Sequence, residues 1–383
     1  MRKRSRIYVI LIPHARYSRE VYLGIMDYFS KITRRFEIVV VYDPLYIDRK
    51  QPCAGIIAMA STKAWQKKIK ASRVPAVNVS SYLEYPLLPT VVSDTALGAK
   101  MVANHLIECR FHHFGFYGCK ESYNNRVMNR AFRETVTTAG FSCVQRLDAR
   151  NKPGHALDPA GQDGLEKWIA ALPKPIGIFA GSDYDAWAIS NACDTLDINV
   201  GREVGIVGYT NDEFFCQACH PQLSSVESRP DRIGSAAAEL LFRLIRGRKA
   251  PKKIQFVPPA GVIRRGSSDV LVAEDTHVAS AIQFIRENIG KPLGILQVFN
   301  RIPLSRRTLE RRFHDCLGYT VLETIQILKI ERAKHLLISS SASIEEIANQ
   351  CGFPNASYMT RLFRKNVGIP SREYRSHFRC KPR

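Results

Sequence analysis

Across the first two thirds of the chain, short apolar runs alternate with stretches in which apolar residues recur every three or four positions. The runs lie at 7–12, 37–42, 55–59, 76–79, 114–117, 176–180 and 204–208. The helical stretches lie at 19–31, 95–108, 125–139, 164–171, 184–196 and 230–246. Strands that are apolar throughout, instead of at every second residue, are buried on both faces. Set between helices, they predict parallel sheets covered on either side. Two such halves, joined near 90–115 and crossing back later, predict a two-lobed α/β clamshell. Ligands of doubly wound sheets sit beyond the carboxyl ends of the strands. This makes Arg16, Tyr17, Asp94, Tyr123, Asp183 and Asn211 candidates for contacting a small effector. Asp183 and Asn211 suit helix N-caps equally well, and the sequence leaves that alternative open.

The pattern changes after 266–275, and 276–383 reads as helices only. A stripe at 278, 281, 282 and 285 predicts the first of them. A short helix follows at 295–300. Ser305 then caps a helix over 306–317, with Leu309 and Phe313 inward and Arg306, Arg307, Glu310, Arg311 and His314 outward, and Gly318 closes it. The next helix, 320–338, has Leu322, Ile325, Leu328, Leu336 and Leu337 available to pack. Ser343-Ile-Glu-Glu346 is a capping-box pattern opening another helix. After a turn at Gly352, Asn355 caps the last clear one, with Met359, Leu362 and Phe363 inward and Ser357, Thr360, Arg361, Arg364 and Lys365 outward.

Charge gives this all-α part a meaning. The chain has 383 residues, with 56 Lys and Arg against 35 Asp and Glu, a formal charge of +21. That excess favours a polyanionic partner. Residues 275–383 carry a net +9, and 1–274 carry +12 over a stretch two and a half times longer. A run of eight basic residues without an acid, 243–265, contains Gly247, Pro251, Pro258, Pro259 and Gly261 and reads as a loop-rich exit. We therefore divide the chain into a two-lobed α/β part at 1–265, a linker at 266–275 and a basic all-α part at 276–383. An apolar content of 45% excludes a disordered chain, and no apolar stretch reaches the ~18 residues of a membrane span. The six-residue run behind Met1–Arg6 reads as a first strand behind a basic tail, not a signal peptide. Ten scattered cysteines suit a reducing cytoplasm.

Helix, short turn, helix with a basic outer face is a helix-turn-helix, and the pattern occurs twice. A connecting helix of nineteen residues spans about 28 Å, against the ~34–36 Å that one turn of B-DNA advances. Such a strut places two readers in successive major grooves on one side of the duplex.

Two resemblances follow from particular residues. "PLSRRTLERRF…LG…I…LKIERAKHLL" with "SIEEIANQCGFPNASYMTRLFRKNVGIPSREYR" resembles the DNA-binding domain of AraC-type transcription regulators over 276–378. Met359 stands where that family usually has Phe, and Ile369 where it has Thr. The resemblance implies base reading by Arg307, Arg311, Ser357 and Arg361. Phosphate contacts then fall to Arg306, Arg364, Lys365, Arg372 and Arg375. "RIYVILIPHARYSREVYLGIMDYF", "GIFAGSDYDAWAI" and "VGIVGYTNDEFFCQACHPQLSSVESRPDRIGSAAAELL" resemble the effector domains of LacI-type repressors and periplasmic sugar-binding proteins, in the version found in bacterial xylose-operon regulators. Together they imply a homodimeric regulator of a carbohydrate operon in the cytoplasm, on the nucleoid. Its partners would be double-stranded DNA, a sugar-like effector and, for an activator, RNA polymerase. Helix 95–108 is where the resemblance puts the dimer contact. Two departures stand out: Met128 replaces an Arg, and Thr210 an Asp, that usually grip sugar hydroxyls. A different, less polar ligand, or a pocket that no longer binds one, are the alternatives this opens.

Other chemistry is poorly supported. Cys216-Gln-Ala-Cys219-His220 spells a haem-attachment motif, but the resemblance puts an ordinary helix there. No second pair completes a zinc site. We expect no cofactor, no metal, no catalysis and no membrane partner. Rival readings are a DNA-repair alkyltransferase fused to a helix-turn-helix domain, which needs a zinc–cysteine cluster, and a sugar-binding transport protein, which has no use for a basic reading domain.

Overall fold

The computed structural model describes residues 5–12, 16–32, 36–41, 53–149, 159–251, 253–268, 275–367 and 369–378. The tail at 1–4, the post-strand residues 13–15 and most of the expected linker, 269–274, lie outside them.

Among the described residues twelve strands follow in chain order: β1 (Ser5–Ile10), β2 (Phe36–Val41), β3 (Cys53–Ala58), β4 (Ala76–Asn78), β5 (Val91–Ser93), β6 (His113–Cys119), β7 (Cys143–Asp148), β8 (Ile176–Ala180), β9 (Val204–Tyr209), β10 (Ser224–Glu227), β11 (Gln255–Val257) and β12 (Gly261–Ile263). Eight helices accompany them: α1 (Arg16–Ile32), α2 (Lys63–Ala71), α3 (Thr95–Glu108), α4 (Tyr123–Thr138), α5 (Pro159–Ala171), α6 (Asp183–Thr195), α7 (Glu213–Ala218) and α8 (Pro230–Ile245). The rest is helical: α9 (Thr276–Asn288), α10 (Ile295–Arg301), α11 (Arg306–Leu317), α12 (Val321–Ser339), α13 (Ile344–Gln350), α14 (Ala356–Val367) and α15 (Ser371–Phe378).

Among the described residues the clamshell has two large sheets and a two-stranded one. One has the order β2-β1-β3-β4, all parallel. The other runs β12-β10-β9-β8-β6-β7 and is parallel except for the antiparallel β10–β12 edge. The chain crosses between lobes after β5, returns through α8 and β11, which pairs with β5, and crosses again to β12. Parallel strands need covered faces, and the apolar runs supply the material: Ile7 to Ile10 of β1 and all of β8 are buried. Helices α1 and α8 approach backbone to backbone at Gly24 and Gly234. A Cβ on Gly24 would stand 1.9 Å from the Asp231 carbonyl oxygen, and one on Gly234 2.0 Å from that of Val21.

Several elements escaped the sequence reading. Edge strand β7 is half exposed and mixed in polarity, so it lacks the continuous apolar run. Strand β10 begins with Ser224 and Ser225, both fully buried. Their hydroxyls bond to the Arg265 carbonyl and to Asp183, which removes the cost of burying them. Helix α3 is buried at eight positions within its own chain.

In the helical third, one apolar cluster gathers α9, α10, α11 and the start of α12, and a second gathers the rest of α12 with α13, α14 and α15. The long α12 belongs to both and is their common strut. Leu322, expected to pack, is 48% exposed; its neighbour Val321 takes the inward position. Glu310, expected outward, is half-buried and accepts from the Val321 backbone N–H at 3.2 Å, capping the strut. No helix among the described residues is long and apolar enough to cross a membrane.

Candidate functional site: interlobe cavity and nucleic-acid interface

Between the lobes lies a cavity of about 270 Å³. Its wall is built where strands end: Met59 after β3, Val79 and Ser80 after β4, Ser93 and Thr95 around the end of β5, Cys119 ending β6 and Ser122 beyond it, Gly181 and Ser182 after β8, and Tyr209 ending β9 with Thr210 beyond it. The loops beyond parallel strands all open on one side, which explains the convergence. Tyr17, Ser81, Tyr82, Met128, Asp185 and Ser228 complete the lining, with Asn124 and Asn125. Both departures from the sugar-gripping pattern, Met128 and Thr210, thus stand in the wall itself.

Of the residues singled out in the sequence, Tyr17 lines the cavity; Arg16, Asp94, Tyr123, Asp183 and Asn211 stand behind it. Tyr17 is held there by its hydroxyl, which donates to the Val79 carbonyl at 2.7 Å. Asp94 N-caps α3 through the Leu97 N–H. Tyr123 carries the Arg126 guanidinium over its ring, while its neighbours Ser122 and Asn124 face the cavity. Asp183 and Asn211 are not caps; the capping oxygens belong to Ser182 and Asp212. Asp183 is buried and accepts from Thr210 Oγ1, Ser225 Oγ and the Asp212 N–H. Arg16 bridges the lobes. It pairs with Glu20 at 2.7 Å and Glu227 at 2.9 Å and donates to the carbonyls of Thr210 and Asn211. Those two residues have φ of 107° and 53°. A strained turn of this kind persists only when its surroundings over-determine it. Here Arg16, Asp183, and Arg265 on the Asn211 carboxamide do so.

Ser80, Ser93, Thr95, Asn124, Asn125 and Asp185 were missed. The signal was available: each ends a strand or follows one by a few residues, and all but Asp185 carry uncharged side chains that made them inconspicuous.

Burial pushes the Asp183 carboxyl up to about 6, against the hydrogen bonds that favour its charge. Its unfolded value is near 3.8. Between these values the folded chain binds the extra proton, so this group adds stability as pH falls from about 6 to about 4. The gain is at most about 3 kcal/mol. In Asp183→Asn the increment is absent. Urea unfolding of both proteins at pH 6.5 and 4.5 should show wild type gaining relative to the variant at the lower pH; parallel profiles would contradict this.

The second site is the outer face of the helical third. On α11, Arg306, Arg307 and Arg311 are exposed, while Leu309 and Phe313 are buried. Ser305 caps the helix through the Thr308 N–H, and Gly318, at φ 68°, ends it. On α14, Ser357, Arg361, Arg364 and Lys365 are exposed over buried Met359, Leu362 and Phe363. Asn355 accepts from the Tyr358 N–H, and the Ser343–Glu346 capping box before α13 has both of its bonds. Ser357, Arg361, Arg364, Lys365 and Arg372 line one open groove. Arg306 lies over the Phe299 ring at 5.3 Å and Arg361 over Tyr358 at 5.4 Å. Arg375 is different: it is half-buried, and its guanidinium donates to the Ala342 carbonyl at 2.6 Å.

Two cations of the strut serve the fold instead of the surface. Lys329 is buried and donates to the Gly352 carbonyl at 2.7 Å, with burial holding its pKa below the usual lysine range. It fixes the turn between α13 and α14. Gly352 has φ 65°, and a Cβ there would meet the Lys291 carbonyl oxygen at 2.1 Å. The other is Lys334, at the junction with the lobes.

Comparison with known proteins covers both parts. Residues 103–268 match the family profile of a periplasmic binding protein-like domain, and 299–377 that of a helix-turn-helix domain. The chain is 30% identical over 383 residues to the xylose operon regulatory protein of Escherichia coli (strain K12), covering 97% of each. The solved structure of the xylose-binding transcription activator xylR superposes with a TM-score of 0.64 at 28% identity, over 99% of this chain and 100% of that one. The transcription regulator CcpA of Lactococcus lactis, at 16% identity and a TM-score of 0.57, shares the fold over 70% of this chain and all of its own.

Proposed function

The chain belongs to the family of xylose operon regulatory proteins and is a sugar-responsive, DNA-binding transcription regulator; within that class we propose that it reads two successive major grooves under the control of a neutral sugar held between its lobes. The observation that carries the reading is the pair of exposed cationic helices, α11 and α14, mounted on one nineteen-residue strut. Arg307, Arg311, Ser357 and Arg361 read bases. Arg306, Arg364, Lys365 and Arg372 hold phosphates, and Arg375 contributes from its half-buried place. It works by binding, without catalysis, as a cytoplasmic, nucleoid-associated homodimer that recruits RNA polymerase as an activator. Its working parts are an effector domain over 1–265 and a reading domain over 276–383.

The cavity supports a neutral effector. Among its described lining residues one carboxylate, Asp185, is present and no Lys or Arg. A sugar acid or sugar phosphate would therefore enter without a counter-charge, which burial penalises. Hydroxyls of Ser80, Ser81, Ser93, Ser122 and Thr95 offer partners to a polyol, and Met59, Val79 and Met128 offer an apolar side. Tyr17 touches the effector, while Arg16, Asp94, Asp183 and Asn211 hold the walls and Tyr123 the entrance to α4. The test is a thermal-shift panel on the full chain: D-xylose, L-arabinose, D-ribose and L-fucose against gluconate and xylose 5-phosphate. A neutral sugar at a hundred times its Kd should add about 2.7 kcal/mol of stability. Stabilisation by the anions alone, or by no sugar, would contradict it.

A further inference from the structure

Helix α3 touches both working sites. Its N-terminal end belongs to the effector cavity: Thr95 lines the wall and bonds Asn124 at 3.0 Å. One turn on, Gly98 lies against Tyr209, another wall residue, so closely that a Cβ would stand 2.7 Å from the ring. Tyr209 is tied in turn to Ser93 at 2.9 Å. A shift of Tyr209 therefore has no slack in which to be lost before it moves α3.

Thirteen residues beyond Thr95, about 20 Å at the helical rise, the other end of α3 meets the reading domain. Glu108 accepts from the Lys334 ammonium of strut α12, and Lys334 also pairs with Glu331 at 3.2 Å. The Lys334 side chain is only 13% exposed. Next to it, the Arg110 guanidinium lies 4.2 Å above the ring of Tyr319, a buried residue just before the strut. The surrounding junction is loosely filled: a cavity of about 460 Å³, lined by Met101, Asn104, Val262 and Tyr374 among others, separates the two surfaces. The contact thus rests on a few charges, not on a packed apolar interface. A charge left buried without its partner is costly, so such a contact is either made or fully released.

We propose that Lys334 is a positioning residue that clamps the strut of the reading helices to α3, so that filling of the interlobe cavity is transmitted along α3 to DNA binding. The inference rests on the reading of the chain as a sugar-responsive regulator. Removing the charge uncouples the two sites; keeping a cation there preserves the coupling. Glu331, on the strut itself, pairs with Lys334 and also faces the charges of Arg264 and His105 from the lobes, so it belongs to the same cluster.

The experiment uses the full chain and a DNA fragment selected by it from a random pool, with affinities measured with and without saturating D-xylose. In Lys334→Met and Glu108→Gln the ratio of the two affinities should fall by fivefold or more towards one. In Lys334→Arg it should stay at the wild-type value. A wild-type ratio in Lys334→Met, or loss of coupling in Lys334→Arg equal to that in Lys334→Met, overturns the clamp. If the wild-type chain itself shows no response to D-xylose or selects no DNA, the functional reading has failed at that point. The clamp is then decided by amide exchange. Lost protection at the C-terminal turn of α3 in Lys334→Met, with protection kept in Lys334→Arg, supports it; unchanged protection in both overturns it.

Discussion

Phe363→Ala is expected to unfold the second helix-turn-helix while leaving the first in place. The Phe363 ring is fully buried and meets Tyr374 edge-on at 5.3 Å, and it shares a cluster with Ile347, Ala348, Met359 and Leu362. Truncating a buried Phe costs about 3–5 kcal/mol, a large part of the ~5–15 kcal/mol that holds a whole domain. Because α9, α10 and α11 are built around a separate cluster, the loss is local. Amide exchange should show α13 and α14 unprotected and α11 still protected. Wild-type protection throughout, or loss in both halves together, would mean that the two clusters are not the independent supports described above.

The second large effect falls on DNA. Arg311→Ala and Arg361→Ala should each cost about 1–3 kcal/mol at a selected site, roughly 5- to 150-fold in affinity, with little change on random DNA. Both arginines are exposed on helices whose opposite faces are buried, so their removal leaves the fold intact. The comparison is Lys365→Ala, which should weaken binding to every sequence alike and lower the slope of log affinity against log salt by about one. Titrations of the three variants on selected and random fragments decide the assignment. Equal losses on both fragments for Arg361→Ala would move that residue to the phosphate class.

Much of this was legible in the sequence because the decisive signals are local. Ser305, Gly318, Ser343, Gly352 and Asn355 mark helix ends by their own backbone chemistry, and each stands at such an end in the structure. The apolar stripes of α9, α11 and α14 name their buried residues for the same reason. The cavity was legible only in outline. Strand ends located it, but charged residues drew attention away from the serines and asparagines that form its wall. Asp183 and Arg16 were conspicuous, and their partners, Ser225 and Glu227, lie 42 and 211 positions away. Lys329 and Lys334 illustrate the converse. In sequence they add to a basic surface, while in the structure they are structural cations, because the carbonyl of Gly352 and the carboxylate of Glu108 come to them from distant segments.

Guanine N7 methylation protection on a selected operator tests the two-groove account most directly. Each copy of the chain should protect guanines in two windows about 10–10.5 base pairs apart on one face of the duplex, and Arg311→Ala and Arg361→Ala should each clear a different window. Protection confined to one window, or one window lost in both variants, would show that the strut does not deliver its two helices to neighbouring grooves.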